Sequence, residues 1–129
     1  RHMDWSDNLC QPHPYVINCD AELMERIALD DMVRGVTIAA GGFYGPQGRA
    51  LRIPLADPMQ NAKIENFRHG DHCITNYEME SSALAGLARL MGHKATTVCM
   101  VIANRYAQEM NTEYKNSIEV LIEKVLERI

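Results

Sequence analysis

The sequence lacks the features that mark several large classes of protein. Its four cysteines form no CxxC pair, and it has no apolar signal segment and no hydrophobic run long enough to cross a bilayer. Positive charge is not in excess, since the net charge at pH 7 is -4. We therefore expect a reduced, cytoplasmic protein that binds a small ligand, with no nucleic acid and no membrane among its partners.

Two common phosphate-binding motifs are also missing, because neither GxxxxGK[ST] nor GxGxxG occurs. The segment GGFYGPQGR, residues 41–49, nevertheless contains four glycines. Glycines allow sharp turns and close approach to a ligand, while Gln47 offers a donor and an acceptor and Arg49 offers a rigid fork of donors. The segment predicts a loop that binds the polar edge of a flat base.

Apolar runs typical of buried strands alternate with helical patterns along the chain. With 129 residues, of which 47% are hydrophobic, the sequence is the size of one domain. The alternation predicts an α/β fold in which the strands belong to one sheet and the helices pack on it. The predicted strands are 33–40, 73–77 and 95–103. Two helices are predicted to begin after the caps Asp20 and Asp57, and two further helices are predicted at 78–91 and 114–128.

Each predicted helix has an apolar stripe at helical spacing. We expect these stripes to face the rest of the fold. The stripes are Met59, Ala62 and Phe67 in the second helix, Met79, Ala83, Leu87 and Met91 in the third, and Ile118, Leu121, Ile122, Val125 and Ile129 in the last.

Polar side chains lie at or just beyond the end of each predicted strand. The carboxyl ends of parallel strands meet at one edge of a sheet, where ligands of open α/β folds bind, so these side chains are candidates for one crevice. The three clusters are Gln47 with Arg49, Glu78 with Glu80, and Asn104 with Arg105.

The acidic residues of NYEMESS have two interpretations. In the first, Glu78 and Glu80 complement the dipole at the start of the third helix and have no further role. Alternatively, a carboxylate there accepts hydrogen bonds from two neighbouring hydroxyls, as a ribose presents them. The sequence pattern leaves both open.

The segment HGDHC, residues 69–73, has potential metal ligands in His69, Asp71, His72 and Cys73. Their spacing matches no standard zinc pattern, and Gly-Asp between a helix and a strand is ordinary turn chemistry. We expect no metal and no cofactor.

Three segments together resemble the nucleoside phosphorylase family, specifically its uridine phosphorylase branch. They are GGFYGPQGR, ITNYEMESSALAGLARLMGH and VCMVIANR, in that order. The resemblance implies a three-layer α/β/α sandwich, of which residues 1–129 would form the carboxyl-terminal part of a single domain. It also implies a homo-oligomer, either a dimer or a hexamer.

On the base side, the resemblance implies that Gln47 and Arg49 bind uracil through its carbonyls and N3. Ile102 and Ala103 would form the apolar wall of the base pocket, and Arg105 would be a basic residue near that wall. Relatives that act on purines have an Asp near this last position, whereas VIANR has none. The resemblance therefore favours a pyrimidine.

On the sugar side, the resemblance implies that Glu80 holds the ribose hydroxyls with Met79 beneath the sugar. Phe43 would pack beside the base and the sugar, and Glu78 belongs to the same motif as Glu80. Together with Gln47 and Arg49, Glu80 would carry catalysis.

The implied reaction is phosphorolysis of uridine to uracil and ribose 1-phosphate, with inorganic phosphate as co-substrate. Relatives supply the phosphate loop and its arginines from an amino-terminal half that has no counterpart in this sequence, so we expect a fragment that is inactive alone and needs that half as its partner. A purine phosphorylase or nucleosidase is one alternative. A non-catalytic nucleoside-binding or assembly module is another.

Overall fold

A parallel pair of strands lies at the centre of the fold. In the computed structural model, which describes residues 14–104 and 107–129, β1 (Val36–Ala39) pairs in parallel with β3 (His72–Glu78). A short strand, β2 (Arg68–His69), pairs antiparallel with the start of β3, which gives the order β1-β3-β2. The predicted strand at 73–77 is confirmed, and a mixed sheet with helices agrees with the α/β class.

The register of this pair brings two chain segments together at one edge of the sheet. Ala39 lies opposite Glu78, and the Ala40 amide donates to the Glu78 carbonyl at 2.8 Å. The loop that follows β1 and the turn that follows β3 therefore start side by side.

Strand β1 is shorter than the predicted range 33–40. The residues before it are held elsewhere, because the Arg34 guanidinium donates to the Ala28 carbonyl at 2.8 Å and to the Glu25 carboxylate at 2.7 Å. Val33 is 89% exposed. Its apolar side chain is typical of a strand, yet no neighbouring element covers it.

Four α-helices accompany the sheet within the described residues, and a side-chain cap explains where the first begins. Asp20 caps the first helix by accepting from the Leu23 amide at 3.0 Å, as predicted. The predicted cap at Asp57 is wrong. The Asp57 carboxylate accepts from the Met59 amide at 2.9 Å, but the second helix begins only at Gln60, and its N-cap residue Met59 offers no side-chain hydrogen bond. The helices are α1 (Ala21–Ile27), α2 (Gln60–Glu65), α3 (Ser81–Leu90) and α4 (Tyr114–Arg128).

Helix α4 is docked, as predicted, but it contacts α1 through its carboxyl-terminal turn and does not bury the predicted apolar stripe. No residue of α4 is buried, and Ile122 and Ile129 of that stripe are more than half exposed. The Arg128 guanidinium donates to the Ile27 carbonyl at 2.8 Å and to both carboxylate oxygens of Asp31, at 3.0 and 2.8 Å. Lys124, one turn earlier, forms a second ion pair with Asp31 at 2.8 Å. One carboxylate therefore fixes the end of α4 against α1.

The predicted strand at 95–103 is wrong. Residues 95–102 form no strand, and β4 (Ala103–Asn104) pairs antiparallel with β5 (Glu109–Met110) in a separate two-stranded sheet. The expectation of one sheet is therefore corrected.

Hydrogen bonding explains why the apolar run at 95–102 is not a strand. A strand needs a neighbour whose amides and carbonyls match its own. In this segment the Ala95 carbonyl accepts from the Asp20 amide, and the Ile102 carbonyl accepts from the Asn111 amide, both at 2.8 Å. The run is not buried either, since Val101 is 56% exposed. Apolar composition alone could not reveal either fact.

The buried face of α3 also differs from the predicted stripe. Ser81 and Ala85 are buried against the fold, whereas Leu87 and Met91 are more than half exposed. Met79 is not in the helix at all, because β3 continues to Glu78. Helix α3 contacts β1, and small side chains such as Ser81 and Ala85 let a helix approach a sheet closely.

The buried hydrophobic residues come from several elements of the fold. In α2 the inward residue is Ile64, and Met59 of the predicted stripe is 59% exposed. None of the described helices is long and apolar enough to span a membrane. The buried hydrophobic residues of the described chain are Ile27, Ala40, Ile64 and Ala85.

We expect Asp31→Asn to loosen α4 and to lower the midpoint of thermal unfolding by a few degrees at pH 7. Arg128, with Lys124 beside it, holds the pKa of the Asp31 carboxyl well below its usual value. The folded-state pKa is thus below the unfolded value of about 3.9, so this contribution is complete above that pH and is lost as the pH falls.

The measurement is thermal unfolding of the parent chain, Asp31→Asn and Asp30→Asn between pH 7 and pH 3. The gap between the parent and Asp31→Asn should narrow in acid, and the neighbouring Asp30→Asn control should stay close to the parent throughout. A gap that does not change with pH would contradict this account of the docking.

Candidate functional site

The glycine-rich segment forms a closed turn directly after β1. It contains a short 3₁₀ helix, Gly45–Gln47, and the amides of Gln47 and Arg49 both donate to the Tyr44 carbonyl at 3.0 Å. Gly48 has a φ of 68°, in the left-handed region that favours glycine. The segment is a defined structure, which we call the base loop (residues 41–49).

The base loop carries its positive charge over an aromatic ring. The Arg49 guanidinium carbon lies 3.7 Å from the centre of the Phe43 ring, and Phe43 meets Tyr44 edge to face at 5.2 Å between ring centres. Gln47 is only 3% exposed. The structure thus brings Phe43 and Arg49 into contact, and it buries Gln47, which lies between them in the sequence.

One atom of this loop has an unmet bonding requirement. The Arg49 Nε is buried and has no hydrogen-bond partner within the described part of the chain. A buried donor without a partner costs about 1 to 3 kcal/mol, so an acceptor that reached it would bind favourably.

Side chains of helix α2 donate hydrogen bonds to the backbone of the base loop. Gln60 Nε2 donates to the Pro46 carbonyl at 2.8 Å, and Asn61 Nδ2 donates to the Gly48 carbonyl at 3.2 Å. The Tyr77 hydroxyl donates to Asn61 Oδ1 at 2.9 Å. Sequence reasoning missed these residues, because nothing in a helical apolar pattern marks which polar side chains of the helix contact a distant loop.

The Glu78 carboxylate caps α3. It accepts from the amides of Glu80 at 2.7 Å and Ser81 at 2.6 Å, and from the Ser81 hydroxyl at 2.5 Å. Partial burial raises the pKa of Glu78, but these hydrogen bonds together with the Met79 amide outweigh it, so the pKa is lowered overall. Of the two interpretations of the acidic pair, the structural one describes Glu78.

Glu80 and Met79 occupy the corner between β3 and α3. Glu80 is the residue before the first turn of α3, but its side chain makes no capping hydrogen bond. Both residues are exposed, Met79 by 42%. The structure places Glu80 at the same sheet edge as the start of the base loop, and its ribose role stays a prediction.

The third predicted cluster does not follow a strand of this sheet. Ile102 and Ala103 are exposed, and they lie in or next to the β4-β5 hairpin. Arg105 lies outside the described residues. The expectation that all three clusters follow strands of one sheet is wrong, because β4 pairs with β5 in a sheet separate from that of β1 and β3. An open cavity of about 350 Å³ at this hairpin is lined by Val101, Ile102, Asn104, Glu109, Met110 and Asn111.

The residues of HGDHC lie on the hairpin that joins β2 and β3. Within residues 14–104 and 107–129, no group of three or more His, Cys, Asp or Glu side chains is placed to hold a metal ion. Cys19, Cys73 and Cys99 are present as thiols.

Comparison with known proteins identifies the family. A family model described as "Phosphorylase superfamily" matches residues 5–129. The chain belongs to this superfamily. No solved structure matches significantly.

Three curated relatives of this superfamily member are uridine phosphorylases by name. Uridine phosphorylase A of Schistosoma mansoni is 36% identical over 86 residues, covering 65% of this chain and 29% of that protein. "Inactive uridine phosphorylase B" of the same organism is 35% identical with the same coverage. Uridine phosphorylase of Thermococcus kodakarensis is 33% identical over 75 residues, covering 58% of this chain and 26% of that protein. The chain thus spans less than a third of the length of these relatives.

We expect Gly48→Ala to destabilise the chain more than Gly70→Ala. Both glycines have positive φ, 68° and 56°, which costs a side chain about 1 to 2 kcal/mol. A Cβ at Gly48 would also lie 2.5 Å from the Asn61 amide, whereas one at Gly70 would meet nothing within 4 Å.

Asn61 can avoid that clash only by breaking its hydrogen bonds with Gly48 and Tyr77. Gly48→Ala should therefore lower the free energy of unfolding by roughly 1 to 3 kcal/mol more than Gly70→Ala does. Urea unfolding of the two variants measures it, with Gly45→Ala as a control at a site that also has open space. Equal destabilisation at positions 48 and 70 would show that Asn61 does not press on the loop.

Proposed function

We propose that this chain supplies the base and ribose contacts of a uridine phosphorylase, which converts uridine and phosphate to uracil and ribose 1-phosphate. Membership of the superfamily and relatives named uridine phosphorylase support a nucleoside substrate. The polar residues of the base loop, at the edge where β1 and β3 end, are evidence in favour of a planar polar base in that substrate.

The observation that carries the proposal is the state of Arg49. Its guanidinium lies over Phe43, and its buried Nε lacks a partner among the described side chains and backbone groups. A uracil carbonyl is an acceptor of suitable size for that donor, and the buried Gln47 is assigned to the carbonyls and N3 of the same base by resemblance.

The chemistry follows from where charge develops. As phosphate attacks the anomeric carbon, the glycosidic bond breaks, the sugar becomes cation-like and negative charge builds on the departing uracil. Donors already directed at the uracil ring stabilise that charge more in the transition state than in the ground state. Arg49 and Gln47 would therefore act as catalytic residues as well as binding residues.

The ribose contacts are assigned to the corner after β3. The exposed Glu80 carboxylate can accept from two neighbouring hydroxyls, and the Met79 side chain can lie against the apolar face of the sugar. Glu78 holds the corner in place, since its carboxylate already binds the Glu80 and Ser81 amides. Ile102, Ala103 and Arg105 remain assigned to the base pocket by resemblance.

The phosphate site is assigned to an amino-terminal half outside this sequence. Three arginines of the chain are already engaged: Arg34 with Glu25, Arg68 with the Glu65 and Phe67 carbonyls, and Arg128 with Asp31. With that half in place we propose a three-layer α/β/α sandwich in a cytoplasmic homo-oligomer, a dimer or a hexamer.

A second candidate is a nucleoside-binding or assembly module without catalysis. The observation that favours it is the Schistosoma mansoni relative whose name calls it inactive, at 35% identity to this chain. Such a module would bind uridine or uracil without releasing product.

We expect Arg49→Ala to cut phosphate-dependent uracil release about a hundredfold when the chain is joined to an amino-terminal half, because loss of one such donor costs about 3 kcal/mol. Arg52→Ala is the matched control, since Arg52 is exposed and lies three positions away. A similar loss of uracil release in both variants would contradict the assignment of Arg49 to base binding.

The 129-residue chain alone should release no uracil from uridine, because orientation of the two reactants accounts for about 7 to 11 kcal/mol of a barrier and the phosphate clamp is missing. The assay measures release of the base by the chain alone and by the chain joined to an amino-terminal half. Each is tested with and without phosphate, on uridine and on inosine. Release by the joined protein without phosphate would indicate a hydrolase, and a preference for inosine would indicate a purine enzyme. Binding of uridine without turnover would indicate the module.

A further inference from the structure

Two neighbouring side chains of α2 hold the backbone on both sides of Gln47. Gln60 donates to the Pro46 carbonyl at 2.8 Å, and Asn61 donates to the Gly48 carbonyl at 3.2 Å. Pro46 and Gly48 are the immediate neighbours of Gln47 in the chain. The Pro46 carbonyl belongs to the peptide group directly before Gln47, and the Gly48 carbonyl belongs to the one directly before Arg49. Helix α2 thus holds one peptide group next to each of these two residues.

Asn61 is itself anchored to the sheet. The hydroxyl of Tyr77 donates to Asn61 Oδ1 at 2.9 Å, and Tyr77 directly precedes Glu78 on β3. The Gly48 backbone lies so close to the Asn61 amide that a Cβ at position 48 would be 2.5 Å from it. A continuous set of contacts therefore runs from β3 through α2 to the base loop.

These contacts are solvent-exposed hydrogen bonds, which contribute modestly to global stability. Their effect on a bound base is expected to be larger. Donors must match the acceptors of a planar ring closely, and a displacement of about 1 Å can cost roughly a hundredfold in a reaction. Weak bonds that fix a loop can therefore matter more for recognition than for folding.

We infer that Gln60 and Asn61 are positioning residues that hold Gln47 and Arg49 in the geometry for binding a pyrimidine base, with Tyr77 as the anchor of Asn61. The inference rests on the proposed function for the identity of the base. Its geometric part, that α2 orders the base loop, stands on the contacts alone.

The test substitutes Asn61→Ala, Asn61→Asp and Gln60→Ala in the full chain. Asn61→Asp keeps an acceptor for Tyr77 but loses the donor to Gly48, so it isolates the bond to the loop. Asn66→Ala is the matched control, because Asn66 Nδ2 donates at 2.8 Å to the Ala62 carbonyl at the far end of the same helix.

The first measurement is amide hydrogen exchange resolved by residue. The Gln47 and Arg49 amides, which donate to the Tyr44 carbonyl, should exchange roughly tenfold faster in the Asn61 variants and in Gln60→Ala, while the Lys63 amide within α2 keeps its protection. The Asn66→Ala control should leave the loop amides unchanged. Unchanged loop exchange in the Asn61 variants, or equal loss of protection in loop and helix, would overturn the inference.

The second measurement is calorimetric titration with uracil. Asn61→Ala and Asn61→Asp should bind uracil roughly tenfold more weakly than the parent, and Asn66→Ala should match the parent. Equal uracil affinity in all variants would overturn the positioning role. If the parent binds no uracil while exchange changes as expected, α2 still orders the loop and the proposed function fails instead.

Discussion

The parallel pairing of β1 with β3 is the interaction on which the candidate site depends. It sets Ala39 opposite Glu78, and the next amide, that of Ala40, extends the ladder to the Glu78 carbonyl. The base loop leaves from one side of this point and the corner with Glu80 from the other. A register shift of two residues would separate them by about 6.6 Å.

The two glutamates beside this ladder have different tasks. Glu78 is the last residue of β3, and its carboxylate fixes the first turn of α3 through the Glu80 and Ser81 amides. That cap determines where the strand turns into a helix, and hence where Glu80 is presented. The structural and the functional interpretation of the acidic pair are therefore complementary, with the first describing Glu78 and the second proposed for Glu80.

Local signals in the sequence predicted the elements that depend on local interactions. The Asp20 cap marked the start of α1, the bounds of α4 matched its apolar periodicity, and β3 followed from its strand composition. The run at 95–103 shows the limit of this approach, because being a strand depends on a hydrogen-bonded neighbour that composition does not reveal. The inward face of α3 was missed for a related reason, since small residues such as Ala85 can be buried while larger apolar ones stay exposed.

The residues of the base loop were predicted from their chemistry, but their supports were not. Gln60 and Asn61 are ordinary polar residues of a helix, and only the folded chain brings them to the carbonyls beside Gln47. Glycine at position 48 was a partial signal, because its positive φ and the close approach of Asn61 both require the absence of a side chain.

The central claim is that base and ribose bind at the sheet edge where β1 and β3 end. A crystal structure of the chain with uridine tests it most directly. We expect the uracil ring within hydrogen-bond distance of Gln47 and Arg49, and the ribose hydroxyls on the Glu80 carboxylate. Uridine bound at the β4-β5 hairpin without contact to Gln47 or Arg49, or with its ribose away from Glu80, would contradict the account.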